Sequence, residues 1–314
     1  MLKYSIKRLF QSLITLFIIV TVVFLLMRLM PEEGYFGTSY EKLDEQQKEA
    51  ILTNMGLRDP IHKQLGNFYK KLLNGDLGES IIYRPKVPIT EIIKTKIPYS
   101  LYFGLASVVI SLIVGVSLGI LMARSKSKFW DKIGNGYVVF INAVPAAIYF
   151  LFLQLYVTDI FKIPILFKPD KPISWILPTI SMSLGGIASY AMWMRRYMVD
   201  ELNKDYVKLA KAKGLKSKQI MVRHIFRNAF VPMAQYLPSA ILFTIAGSIY
   251  IESLYSIPGM GGLLVDVIKR QDNTMVQALV LIYSSIGIVG LFLGDILMAI
   301  FDPRINLQNK GGAR

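Results

Sequence analysis

The chain has no cysteine and only two histidines in 314 residues, which excludes disulfides, thiol nucleophiles and cysteine-ligated metal sites. His62 and His224 stand far apart, each without a second histidine nearby. His62 therefore reads as structural or solvated, and His224 as a helix-end or interface contact rather than a metal ligand. No GxxxxGK[ST] phosphate loop is present, so any ATP must be handled by another polypeptide. HExxH and other nucleophile-and-base constellations are missing too, which argues against an intramembrane enzyme. Neither an internal repeat nor a low-complexity tract is visible, which argues against a self-contained secondary transporter built from inverted repeats. Acidic residues are scarce, 21 against 36 lysines and arginines, giving a net charge of +15.

What the chain has in abundance is apolar sequence, 53% of all residues. Such content alongside a large positive charge requires the two to be segregated along the chain. The cations fall in short segments bordering long apolar runs, the pattern of loops held on the cytoplasmic side of a bilayer and not of a nucleic-acid surface. Six runs approach the roughly 20 residues needed to cross a bilayer: Leu9 to Met30, Leu101 to Ala123, Gly136 to Val157, Ile173 to Met194, Pro232 to Ile251, and Val276 to Ile300. Hydrocarbon cannot satisfy free backbone groups, so each run is expected to be helical. The first is longer than a signal-peptide core of about 7–15 residues and lacks a small-x-small cleavage site, so it reads as a retained span.

Lys3, Lys7 and Arg8, then Arg124, Lys126, Lys128 and Lys132, then the cation-rich segment 195–227 belong on one side. The opposite connections carry only Lys162, Lys168 and Lys171, and Lys269 and Arg270, with acidic residues close by. Both termini are then cytoplasmic. The expected organisation is an N-terminal tail and first span over 1–30, a small external subdomain over 31–100, and a five-helix core over 101–314 with a cytoplasmic excursion at 195–231. Within the subdomain, Glu41–Met55 and Pro60–Asn74 have helical spacing, with Gly56 and Gly75 as stops.

The excursion between the fourth and fifth runs is too polar to enter a membrane and too long to be a turn. Asp205 can cap a helix in which Tyr206, Leu209 and Ala210 share a face, and Gly214 permits a left-handed stop. Ser217 can start a second helix through Ile220, Met221, His224 and Ile225. Small Ala210 and Ala212 beside the bend suit a helix that lies in a partner's groove; spacing alone is equally compatible with an ordinary basic loop.

The stretch Tyr206-Val-Lys-Leu-Ala210-Lys-Ala212-Lys-Gly214-Leu, followed by Arg223-His224-x-x-Arg227-Asn228-Ala229-x-x-Pro232, resembles the EAA loop of bacterial ABC importer permeases. More narrowly it resembles the B-type permease of the oligopeptide, dipeptide and nickel importer family. Gly75-Asp76-Leu77-Gly78-x-Ser80, Glu252-x-x-Tyr255-Ser256-Ile257-Pro258-Gly259-Met260-Gly261 and Asp302-Pro303-Arg304 extend the likeness over nearly the whole chain. Lys208 and Leu209 stand where many ABC permeases have Glu and Ala, which puts a specific role for that glutamate in doubt.

The resemblance implies an all-α, six-helix type I ABC importer permease of the bacterial cell membrane. It implies a coupling loop built from Asp205, Tyr206, Leu209, Ala210, Ala212, Gly214, Leu215, Arg223, His224, Arg227 and Asn228. An external gate would involve Glu252, Ser256, Pro258, Gly259 and Gly261. The implied partners are a second, related permease in a heterodimer, two cytoplasmic ATPases that handle ATP and magnesium, an extracytoplasmic binding protein, and membrane lipid. The chain would bind no cofactor itself. Peptides are the implied cargo, with nickel or a nickel chelate as the alternative.

Among the remaining polar residues in apolar runs, Asp295 reads as a packing or permease-pairing contact rather than a substrate contact, and Glu252 as an outer-rim residue facing the pore mouth or the binding protein. Gln154 and Asn142 could line a pathway or bond a neighbouring helix. Pro145, Pro178 and Pro238 are expected to kink or loosen helices.

Overall fold

The computed structural model describes residues 2–301, and these are overwhelmingly helical, with a single isolated β-bridge between Glu79 and Pro88. The Asp302-Pro303-Arg304 motif and the C-terminal tail lie outside the described residues. Helix α1 (Leu2–Met27) leads into two short 3₁₀ turns, then α2 (Glu45–Asn54) and α3 (Ile61–Leu73). A continuous α4 (Ile89–Arg124) contains a π-helical turn at Ser111–Gly115. After it come α5 (Phe129–Ala143), α6 (Ala146–Phe161) and the 30-residue α7 (Ile173–Leu202). The polar excursion supplies α8 (Asp205–Ala212) and α9 (217–234), the latter π-helical over Ile220–Phe226. The chain closes with α10 (Leu237–Ala246), α11 (Ile249–Leu254), α12 (Met260–Lys269) and α13 (Asn273–Phe301).

Among the described residues, four helical stretches are long and apolar enough to cross a membrane: Ser5–Met27, Ile89–Arg124, Leu237–Leu254 and Asn273–Leu297. The pair α5 and α6 makes a fifth if counted as one span. The difference from the six runs of the sequence lies in the third and fourth. The third run is not one straight helix: α5 and α6 meet at 108°. Pro145 is the reason, since it cannot donate to the preceding turn and restricts Val144 to an extended conformation (ψ 129°). The fourth run forms the long α7, but its serines, threonine and glycines keep its hydropathy low.

Helix α7 tolerates those residues because it sits at the centre of the bundle. Ser181 and Ser183 are buried, the first hydrogen-bonded to Tyr255 at 3.0 Å and the second donating to the Ile180 carbonyl. Helix α4 approaches α7 closely through Gly115 and Gly119. A Cβ at these positions would stand 2.7 Å from the Ile187 carbonyl oxygen and 2.6 Å from that of Ala191. Close backbone approach at small residues is how helices associate where lipid removes the hydrophobic drive.

The 31–88 segment forms a cap at the end of α1. Asp44 and Gln47 make a reciprocal capping box at the start of α2. Gly56 and Gly75, at φ +72° and +73°, end α2 and α3 as the spacing predicts. Arg58 ties the layer together through Glu32 and Glu49, at 2.7 and 2.6 Å. Helix α4 already begins at Ile89, so the last dozen residues of the 31–100 segment are the start of that helix.

Candidate functional site

The polar excursion is anchored at its root by a bidentate ion pair. Arg195, on α7, donates from Nε and Nη2 to the two carboxylate oxygens of Asp131 at 2.5 and 2.8 Å. Asp131 is buried in the first turn of α5 and also accepts the Ser127 amide at 2.7 Å. The pair fixes the end of α7 against the connection before α5. Sequence reasoning missed it, because the partners are 64 residues apart and neither stands out in its own run.

Beyond this anchor, α8 folds back on α7 and α9. Val207 and Ala210, three residues apart, are buried with Met194, Met198, Ile220, Ile225 and Ala229. Tyr206 donates its hydroxyl to Glu201, and the Asn228 side chain stands beside the Tyr206 hydroxyl. Burial, reinforced by the Glu201 carboxylate, pushes the Tyr206 phenol up to about 12 although the Asn228 side chain acts the other way. The face expected from spacing therefore divides: Tyr206 and Ala210 turn inward, whereas Leu209 is 57% exposed. Asp205 is not the cap. It is the first helical residue, exposed, and paired with Lys208 at 2.9 Å.

Gly214 adopts φ +77°, and the bend it permits is a Schellman motif: the Leu215 amide donates to the Ala210 carbonyl and the Gly214 amide to that of Lys211. The motif exposes a continuous surface of Leu209, Ala212, Gly214 and Leu215. On α9, Arg223, His224, Arg227 and Asn228 are exposed at i, i+4 spacing and so share one side. Among the described residues, no cluster of three or more potential metal ligands occurs.

The other candidate region is built around Glu252. It is not a rim residue facing a pore mouth: it is only 1% exposed. Its Oε1 accepts the Ser100 hydroxyl at 2.7 Å and the Ser248 amide at 3.3 Å. Its Oε2 accepts the Gly261 and Gly262 amides at 2.7 and 3.0 Å. The carboxylate thus occupies the N-terminus of α12, where amides point outward and negative charge is favoured. Gly259 is required beside it, since a Cβ there would lie 2.6 Å from Oε1. Ser256, in a left-handed turn at φ +55°, is exposed and Pro258 half-buried, whereas Gly259 and Gly261 are enclosed.

A second buried carboxylate engages Ser80, the last residue of the glycine-containing motif of the cap. Asp272 Oδ2 accepts the Ser80 hydroxyl at 2.7 Å and the amides of Ile81, Ile82 and Tyr83 at 2.9 to 3.1 Å. Its Oδ1 accepts Thr274 Oγ1 at 2.9 Å. The next residue, Asn273, donates to the Pro31 carbonyl. One dipeptide at the start of α13 therefore pins both ends of the 31–88 cap. Burial alone would raise the Asp272 carboxyl, but the Tyr83 amide, the Ser80 hydroxyl and further amides outweigh it and hold the group below the usual range.

Of the other polar residues, Asp295 pairs with Arg8 on α1 at 3.3 Å. The pair borders a cleft of about 350 Å³ between α1, α10 and α13. Gln154 donates to the Ile165 and Leu254 carbonyls, and Asn142 to the Val138 carbonyl of its own helix.

A helical bundle with four to five apolar helices among the described residues, interrupted by a polar, glycine-bent excursion anchored to its central helix, defines a multi-pass membrane protein. The family profile described as "Binding-protein-dependent transport system inner membrane component" matches residues 115–307, and the corresponding N-terminal profile matches residues 1–99. The chain belongs to this family of inner-membrane transport components. It is 32% identical to the dipeptide transport system permease protein DppB of Lactococcus lactis, over 98% of this chain and 100% of that protein. It is 31% identical to DppB of Bacillus subtilis, over 99% and 100%, and 30% identical to the oligopeptide transport system permease protein OppB of Salmonella typhimurium, over 97% and 99%. A crystallised amino acid ABC transporter with histidines superposes with a TM-score of 0.51 at 16% identity, over 69% of this chain and 95% of that one. At that identity the likeness concerns the fold.

Proposed function

We propose that the chain is a permease subunit of an ATP-driven ABC importer for di- or oligopeptides. It forms half of a translocation pathway with a second, related permease, and separate cytoplasmic ATPases hydrolyse ATP. The chain crosses the membrane six times with both termini cytoplasmic. In this reading α7 is the central span despite its hydroxyls, and α5 with α6 is one bent span. An extracytoplasmic protein delivers the cargo. The relatives named for di- and oligopeptide transport support the peptide reading, and none of those named above supports nickel.

One observation carries the coupling role. Helix α8 is tied inward through Val207, Ala210 and Tyr206, yet leaves Leu209 and Leu215 exposed on a rigid bend. Free apolar side chains on a preorganised polar segment mark a protein-docking surface. Because the root of this segment is locked to α5 by Arg195 and Asp131, a push on α8 is transmitted to the bundle as a rigid-body motion, the elementary step of alternating access. The Ser256-to-Gly261 loop, held by Glu252, is the corresponding external gate element.

The test is affinity capture of the tagged chain from solubilised membranes, with co-purifying proteins identified. Recovery of ATPase subunits that disappear when Ala210 to Gly214 are altered supports the reading. A chain recovered alone under conditions that preserve complexes overturns it.

A further inference from the structure

Among the described residues, helix α3 is the one element longer than two turns in which no residue is buried. Its apolar positions nevertheless follow one face. Leu65, Phe68, Tyr69 and Leu72 are half-covered, while Gly66, Asn67, Lys70 and Lys71 are exposed. Thirteen residues are too few for a stable isolated helix in water, so an amphipathic helix of this length needs a surface to cover its apolar side.

That surface is supplied only in part by α1. The Tyr69 ring stacks on Phe17 at 5.2 Å, and its hydroxyl reaches the Phe17 carbonyl at 3.0 Å and the Thr21 hydroxyl at 2.7 Å. Phe68 meets Phe24 at 4.9 Å. Adjacent residues of α3 thus contact positions seven residues apart on α1, which places α3 across α1 rather than along it. At 1.5 Å per residue, Thr21 and Phe17 lie about 9 and 15 Å inside the Met27 end of the apolar span. Those depths fall within one leaflet, whose hydrocarbon is about 15 Å thick. Leu73, at the end of α3, is 85% exposed, and Leu29, just past α1, is 81% exposed. Leucines this bare suit hydrocarbon and not water.

The charges complete the pattern. Helix α3 has no acidic residue and three lysines. Lys63 is paired with Asp59, whereas Lys70 and Lys71 make no ion pair among the described residues. Together they put two positive charges on the last turn, beside Leu72 and Leu73.

We infer that α3 is an interfacial helix immersed in the outer leaflet, lying flat across α1, with Lys70 and Lys71 drawn to the phosphates of anionic phospholipids. It anchors the 31–88 cap to the bilayer from outside while Asp272 and Asn273 pin it from within. This rests on the proposed orientation, in which the Met27 end of α1 faces outward.

The lack of cysteine makes the test direct. The full-length chain, assembled with its partner subunits, is reconstituted into nanodiscs of equal phosphatidylcholine and phosphatidylglycerol, with one spin label at Leu73→Cys or at Asn67→Cys. The inference expects the label at 73 to collide preferentially with oxygen and that at 67 with a water-soluble nickel chelate. Preference for the nickel chelate at 73 overturns it. Protection at 73 that appears only when the binding protein is added overturns it in favour of a protein-docking helix. Neutralising Lys70 and Lys71 (K70Q, K71Q) should reduce phosphatidylglycerol enrichment at this helix by about fivefold per lysine; unchanged enrichment overturns the headgroup assignment. A separate Gln46→Cys variant reports orientation: reaction with an impermeant maleimide in intact cells supports it. Reaction only after lysis overturns the outer-leaflet placement alone, leaving the depth result at 73 to decide immersion.

Discussion

Ser100 and Glu252 are 152 residues apart in the chain and 2.7 Å apart in the fold, and the same serine oxygen accepts the Met260 amide at 2.8 Å. One hydroxyl therefore links α4 to both ends of the loop that joins α11 to α12. Replacing Glu252 by Ala leaves the Gly261 and Gly262 amides and the Ser100 hydroxyl unpaired in a buried site. The expected cost is about 2–4 kcal/mol, read as a lowered unfolding temperature of the purified complex. Ser100→Ala should cost less, about 1–2 kcal/mol. Equal melting of wild type and Glu252→Ala would show that the loop does not depend on the carboxylate.

Gly214→Val forces a β-branched residue into a left-handed conformation at a cost of about 1–2 kcal/mol. The residue lies in an exposed segment with open space around it. The chain should insert and assemble normally, but peptide uptake should fall steeply. Gly214→Asn, which tolerates the same backbone angles, should retain most uptake. Full uptake by the valine variant would remove the bend from the coupling mechanism.

Leu209→Asp changes a side chain that is more than half exposed in this chain. Stability should move by no more than about 0.5 kcal/mol. Recovery of ATPase subunits on the tagged permease should drop about tenfold or more, as for truncation of a buried interface anchor. Val207→Asp is the counterpart: it disrupts the inner face of α8 and should lower the yield of folded protein itself.

Arg195→Ala leaves Asp131 buried without its cation and should cost about 3–5 kcal/mol. Converting both partners to apolar residues, Asp131→Leu with Arg195→Met, should recover most of that stability. If uptake stays low in the doubly changed protein although its unfolding temperature is restored, the pair acts in transmission and not only in folding.

The Asp272 carboxyl is held below its ordinary value, near 3.9. The stabilisation it gives is present above that value and lost as pH falls through the lower, native one. Hydrogen exchange in residues 78–88 should therefore accelerate as pH drops below about 4, after correction for intrinsic rates. Asp272→Asn should abolish that acid step. A step of unchanged size in the variant would assign it to other carboxylates.

Much of this was legible in the sequence because it depends on local chemistry. Helices α2 and α3 end at Gly56 and Gly75, and α8 ends at Gly214, since a left-handed stop is a property of one residue and its immediate neighbours. The face of α8 was harder. Val207 and Leu209 are both apolar, and only the docking of α8 onto Met198 and Ile225 decides which is covered. The bend between α5 and α6 was written in Pro145, but its angle was not.

By itself the sequence determined the segregation of apolar runs from basic connections, the helix stops and the family motifs, because solvent preference and backbone propensity act over a few residues. Tertiary structure alone decided where the buried charges sit. Glu252, Asp131 and Asp272 each find partners tens to nearly two hundred residues away, and a carboxylate's environment is set by the donors that converge on it. Position along the chain made Glu252 look like a rim residue; four donors around it, on three separate elements, make it the centre of a clasp.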